Sequence, residues 1–312
     1  MASSRHPDRR PASWRVTSWR VTRWRVIRIA LIITLGLAVA LAVDVARVGG
    51  PRTWLALRSL AWPNPGQGRL VQVDGRSLFL DCRGQGSPTV VFESGMGDGA
   101  GAWASVHDDI AATTRACTYD RAGRGFSDPL GIHTLADGAL DLRSLLRAAG
   151  EPGPFVVVGH SLGVDYARVF VDAYLDEVHG LLLVDGFAPD LESSAVHPLL
   201  GSLRQEYEDR LDGLRRLVAD VERLDWPASE TQLRATDLRG TRIEVLRAPR
   251  VEPRLDGPSN AAIEAAVVAS YEAMSPGQVR YELAWGAGHL IQVDRPDLVV
   301  TAVRRLIDAA RD

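Results

Sequence analysis

Lysine is missing from the chain: all 36 basic residues among its 312 are arginines. That absence excludes Schiff-base chemistry, a lysine general base and the phosphate-gripping lysine of a P-loop. Cysteine is scarce as well. Two cysteines and seven scattered histidines form no zinc-type ligand cluster, and no run of acids has the spacing of a calcium loop. No metal and no cofactor is therefore expected. With 46% hydrophobic and 24% charged residues, the composition is that of a folded globular protein rather than a disordered or collagen-like one.

Charge is unevenly spread. Residues 1–52 hold ten arginines and two acids, whereas the rest holds 26 arginines and 37 acids. A basic tail on an acidic body points to nucleic acid or to a membrane. The run at 29–43, IALIITLGLAVALAV, decides for the membrane. Fifteen residues rise about 22 Å as a helix, and apolar neighbours on both sides extend the segment toward the roughly 30 Å of a bilayer core. Eight arginines precede the run, so the positive-inside rule keeps 1–28 in the cytoplasm and exports the remainder of the chain. The expected division is a basic tail (1–28), a membrane anchor (29–48, with contacts from residue 26), a linker (49–68) and a catalytic domain (69–312). A signal peptide cleaved near Ala40-Leu41-Ala42, which would release a secreted protein, is the alternative. Within the tail, Ser13-Trp14-Arg15-Val16-Thr17 repeats at 18–22 and again, altered, at 23–27. Alternating Trp and Arg suits a headgroup region, and a duplication in a tolerant tail would look the same. Nucleic acid is not expected as a partner.

From residue 69 the pattern alternates. Asp74-Gly75 joins two short strand-like runs, a hairpin signal. Apolar strands at 89–92, 116–119, 155–158, 181–184, 243–246 and 281–284 are separated by helices, notably 135–149, 162–178 and 296–310. Continuous apolar strands between helices predict a mostly parallel sheet covered on both faces, with ligands at the carboxyl ends of its strands. The block 186–240 contains no strand. Its Leu200, Leu203, Tyr207, Leu211, Leu214, Val218 and Val221 recur at steps of three and four, which predicts a helical stripe and a lid over the strand ends.

The strand at 155–158 runs into Gly159-His160-Ser161-Leu162-Gly163, followed by a helix. G-x-S-x-G between strand and helix is a nucleophile elbow. The turn strains the serine backbone and requires residues without bulk at Gly159 and Gly163. Ser161 then projects at a helix amino terminus, which favours developing negative charge.

With this motif the chain resembles the α/β-hydrolase family over residues 69–312. The resemblance also rests on Glu93-Ser94-Gly95-Met96-Gly97-Asp98, on the run Tyr119–Asp128 that opens with Asp120-Arg121-Ala122-Gly123, and on Gly288-His289. More narrowly, it looks like exported bacterial members with an amino-terminal hydrophobic segment. The resemblance implies an eight-stranded, mostly parallel sheet with the lid inserted after strand 6. It implies oxyanion donors at the backbone N–H groups of Met96 and Leu162, and His289 as general base, which comes after the nucleophile in the family's order. Two departures stand out: Ser94-Gly95 replaces the frequent His-Gly pair, and Val164 stands after the elbow where glycine is usual.

The triad acid is open between two regions. Asp185, at the end of strand 6, is the first choice. Glu252, with Asp256 behind it, lies in the loop after strand 7 that most members use. In the family the second and fourth strands are antiparallel neighbours, which implies a disulfide between Cys82 and Cys117 in an oxidising compartment. The Asp120-Arg121 motif is expected to brace the loop beneath the site. The implied function is a serine hydrolase, carboxylesterase- or lipase-like, cleaving an ester, with thioester or amide as alternatives, in a small-molecule apolar acyl substrate through an acyl-enzyme. A carbon–carbon bond hydrolase, a cofactor-free peroxidase and a non-catalytic binding protein on the same scaffold are the competing readings.

Overall fold

The computed structural model describes residues 67–186 and 196–312. The basic tail, the 29–48 segment and nearly all of the linker lie outside the described residues, as does the start of the lid at 187–195. Among the described residues no helix is long and apolar enough to cross a membrane.

Eight strands form one sheet: β1 (Arg69–Val73), β2 (Arg76–Arg83), β3 (Thr89–Glu93), β4 (Ala116–Tyr119), β5 (Phe155–His160), β6 (Val178–Val184), β7 (Ile243–Arg247) and β8 (Val279–Leu283). Their spatial order is β1-β2-β4-β3-β5-β6-β7-β8. β2 runs antiparallel to both β1 and β4, and every other pairing is parallel. The hairpin forms where Asp74 and Gly75 can both take positive φ, 49° and 80°, which the right-handed twist of a two-residue turn demands.

The helices are α1 (His107–Ala111), α2 (Leu135–Ala149), α3 (Gly163–Ala173), α4 (Arg204–Glu222), α5 (Trp226–Ala235), α6 (Gly257–Glu272), α7 (Ile291–Asp294) and α8 (Pro296–Arg311). Strand side chains alternate between two cores. Val91, Val157, Leu181, Leu183 and Val245 pack with α2, α3 and lid residues, while Val90, Phe92, Val156, Val158, Leu182 and Leu246 pack with Trp103, Ile110 and the apolar face of α8. The central strands are buried on both faces, which is why they read as unbroken apolar runs rather than alternating ones. The chain reverses direction across the sheet between β3 and β5, and the crevice there opens at their carboxyl ends, the usual ligand position of such sheets.

Several details differ from the sequence expectation. The helix expected over 162–178 spans only Gly163–Ala173, and β6 already begins at Val178. Helix α6 carries no apolar stripe, and its only buried residues are Val267 and Tyr271, so periodicity could not reveal it. β8 begins two residues earlier and ends one earlier than expected, because an edge strand only partly covered lacks a sharp pattern. In the lid, Leu200 and Leu203 sit at short 3₁₀ turns rather than in one continuous helix, and Leu214 is 41% exposed. The stripe does not pack wholly against the body. All of its residues but Val221 line a cavity, and Leu200 and Val218 also join the core beneath it.

Candidate active site

The elbow is built by steric necessity. Ser161 has φ +53°, a left-handed conformation that costs about 1–2 kcal/mol in a side-chain-bearing residue. A Cβ at Gly159 would stand 2.5 Å from the carbonyl oxygen of Gly163, and one at Gly163 would stand 2.3 Å from that of Glu93. No other residue fits at either position. Helix α3 begins at Gly163 and buries every residue through Val171. Val164, in place of the usual glycine, packs against Gly186, where an added Cβ would meet it at 3.0 Å.

Three elements deliver side chains to one line. His289 Nε2 lies 3.0 Å from Ser161 Oγ. His289 Nδ1 lies 2.6 Å from Asp185 Oδ2. Asp185, also left-handed at φ +40°, accepts further bonds from Ala248 N–H and from Arg250, each at 3.0 Å. Burial opposes its ionisation. The His289 hydrogen bond, the charge of Arg250 and the Ala248 N–H together outweigh burial and hold its pKa below the ordinary carboxylate value.

The other carboxylates considered from sequence stand elsewhere. Glu252 lines the cavity but pairs with Arg254 at 2.6 Å. Asp256 caps α6 by accepting from Ser259 N–H at 2.8 Å. Arg250 was visible only as one of several arginines in that loop; its grip on Asp185 depends on β6 and β7 being sheet neighbours.

Met96 and Leu162 both line the same cavity as Ser161 and His289. The cavity measures about 710 Å³. From the lid, Leu200, Leu203, Tyr207, Leu211, Leu214 and Val218 line it together with Glu206 and Arg210, and Arg247, Arg250, Arg254 and Glu264 line it as well. Cys82 and Cys117 face one another across β2 and β4 and are disulfide-bonded, away from the site.

Further buried polar residues surround the site. His160 is buried, and its Nε2–H donates to the backbone carbonyl of His289 at 2.9 Å. Burial, reinforced by His289, pushes its pKa down to about 3, so it remains neutral. Beneath the elbow, Arg121 donates to the carbonyls of Ser94 and Gly95 and stands 3.5 Å from Glu93, which accepts from Tyr119. Burial raises Glu93 to about 7 despite the Arg121 charge and the Tyr119 bond. Asp120 receives the N–H groups of Ala100 and Phe126, the bracing expected of that motif. Glu222, the last residue of α4, completes the network by accepting from Gly97 N–H at 2.6 Å and from Arg121 at 3.2 Å. Its sequence signal was position alone: four residues past Val218, on the buried side of the lid helix.

Comparison with known proteins agrees with this architecture. The model of the alpha/beta hydrolase family matches residues 90–302. YqjL of Bacillus subtilis is 32% identical over 128 residues, 40% of this chain and 51% of that protein. The 2-(acetamidomethylene)succinate hydrolase of Mesorhizobium japonicum is 25% identical over 266 residues, 76% of this chain and 95% of that enzyme. The chain spans about half or less of the length of the first curated relatives it matches. Among solved structures, a thermophilic esterase from Thermogutta terrifontis superposes with a TM-score of 0.50 at 20% identity, covering 77% of this chain and 97% of that one. At that identity the likeness speaks for the fold.

Proposed function

The chain belongs to the alpha/beta hydrolase family, and from that premise we propose that it is a serine hydrolase cleaving carboxylesters of apolar acyl groups. The observation that carries the reading is the continuous hydrogen-bonded line from Ser161 Oγ through the His289 ring to Asp185 Oδ2, at 3.0 and 2.6 Å. In this reading Ser161 Oγ attacks the ester carbonyl carbon and its proton passes to His289 Nε2. The carbonyl π electrons move onto oxygen, which faces the N–H groups of Met96 and Leu162. Among the described residues, neither N–H has a hydrogen-bond partner within the chain. Collapse of the tetrahedral adduct breaks the bond to the alcohol, which leaves with the proton from His289. Water, deprotonated by the same ring, then releases the acid and restores Ser161. Asp185 holds the Nδ1–H tautomer and offsets the positive ring that forms twice in the cycle. The leucine-lined lid wall supports an apolar acyl group.

Labelling by a fluorophosphonate and a series of p-nitrophenyl esters of rising chain length test the assignment on the full-length protein. The expected result is labelling lost in Ser161→Ala and turnover of at least the shorter esters. Absence of both labelling and turnover in the wild type overturns it.

We further propose that residues 26–48 anchor the chain, with 1–28 in the cytoplasm and the hydrolase domain outside it. The charge-free run at 29–43 beside eight arginines supports this. Protease added to intact cells should then reach the domain while the chain fractionates with membranes. Full-length protein recovered from the soluble cytoplasm refutes the arrangement.

A further inference from the structure

The peptides on both sides of Met96 are gripped from outside their loop. Arg121 donates to the carbonyls of Ser94 and Gly95, the latter at 2.6 Å. Gly95 C=O and Met96 N–H belong to one trans peptide and therefore point in opposite directions. Holding the carbonyl on Arg121 sets the direction of the Met96 N–H. The next peptide is held by its other group, as Gly97 N–H donates to Glu222 Oε1 at 2.6 Å. The same oxygen accepts from Arg121 at 3.2 Å, so one carboxylate joins the guanidinium to the loop it orients.

Glu222 belongs to the lid, not to the sheet. It ends α4, and its side chain is 1% exposed. Several contacts keep that end of the helix down. Arg124 reaches the Val221 carbonyl and lies 3.5 Å from Glu222 Oε2. His133 N–H donates to Arg223 O at 3.1 Å, and Asp225 N–H donates to His133 O at 2.8 Å.

We infer that Glu222 is a positioning residue for hydrolysis: the lid helix supplies the carboxylate that, with Arg121, fixes the Met96 peptide as an oxyanion donor. The oxyanion site is then complete only when the carboxyl end of α4 is seated on the Gly95–Gly97 turn. The inference rests on the reading of Ser161 as nucleophile and of Met96 N–H as an oxyanion donor. An oxyanion donor acts in the transition state and hardly at all in the ground state. Its misplacement should lower kcat and spare KM, whereas a lid that merely shapes the cavity should alter KM and thermal stability.

The test is kcat and KM for one p-nitrophenyl ester in full-length wild type, Glu222→Ala, Glu222→Gln and Arg124→Ala. An inert wild type overturns the hydrolase reading and this inference with it, and an active one isolates the inference. Glu222→Ala leaves Gly97 N–H and Arg121 without their acceptor, and kcat should fall on the order of 10²-fold with KM within about threefold. Glu222→Gln keeps the acceptor and the volume but loses the charge, and kcat should fall about tenfold at unchanged KM, a partial rescue. Arg124→Ala loosens the seat of the helix end, and kcat should fall with KM within about threefold, by less than in Glu222→Ala because the Oε1 contacts remain. Should Glu222→Ala fail to fold, Glu222→Gln decides alone. A Glu222→Gln kcat equal to wild type, or an Arg124→Ala effect confined to KM at unchanged kcat, overturns the inference.

Discussion

Asp185 and His289 lie 104 residues apart in the chain and meet at 2.6 Å between Oδ2 and Nδ1. Nothing local to either residue arranges this. β6 ends at Val184, the turn after it leaves Asp185 left-handed, and Asp185 N–H donates across to Leu246 O of β7 at 2.7 Å. The carboxylate is thereby aimed at the loop after β8, which carries His289. With Ala248 N–H and Arg250 on the same carboxylate, its charge is held from two sides besides the histidine.

Replacing Asp185 by Asn should reduce kcat on the order of 10⁴-fold, the loss expected when the base is left in the wrong tautomer. Glu252→Gln should stay within a few fold of wild type, since Glu252 lines the cavity but is held by Arg254, while His289 is bonded to Asp185. Steady-state ester hydrolysis measures both. Collapse in Glu252→Gln with near-normal Asp185→Asn would reverse the assignment.

Ser161→Gly should make the protein inactive and more stable. The left-handed backbone at Ser161 costs about 1–2 kcal/mol and glycine relieves it, though extra chain entropy in the unfolded state takes back part. A net gain of about 0.5–1 kcal/mol should raise the Tm by about 1–4 °C. A lower Tm in thermal unfolding would show that the elbow is not strained.

Cys82 and Cys117 are directly opposed in the β2–β4 register and 35 residues apart in sequence. Closing a loop of that length should stabilise the fold by about 3–4 kcal/mol on the chain-entropy account. Denatured, unreduced protein should titrate no free thiol, and prior reduction should lower the denaturant midpoint. Two thiols in the unreduced sample would mean that the pair is open.

Legibility in the sequence tracks the range of each interaction. The elbow was legible because strand, turn and helix are contiguous and its glycines are required within five residues. The parallel sheet was legible because strands buried on both faces must be continuously apolar. The choice between Asp185 and Glu252 was not decidable locally: both come just after strands that turn out to be neighbours, and only the register of β6 on β7 separates them. Glu222 was out of reach because its partners, Arg121 and Gly97, stand 101 and 125 residues away. Helix α6 escaped because only Val267 and Tyr271 are buried on it.

Glu93 should make stability fall as pH rises through neutrality. It is fully buried, and burial raises its pKa to about 7, against an ordinary value of 4.5 in the unfolded chain. Between those values the native protein keeps a proton that the unfolded chain has released. Unfolding therefore becomes easier as pH climbs, by on the order of 3 kcal/mol across the window. Glu222 behaves oppositely. Burial resists its charge, but Arg121, Gly97 N–H and Arg124 together hold its pKa below the ordinary value, so its contribution is present above pH 4.5 and lost only in more acid solution. The two windows do not overlap, and Glu93→Gln isolates the first. The glutamine keeps an acceptor for Tyr119, carries no charge, and leaves Arg121 paired with Glu222. Wild type and variant should be about equally stable at pH 5, and the variant should be the more stable at pH 8. Thermal unfolding of the full-length protein at pH 5, 6, 7 and 8 reads the difference. A wild type that gains on the variant as pH rises would mean that Glu93 is ionised and stabilises the fold as a partner of Arg121.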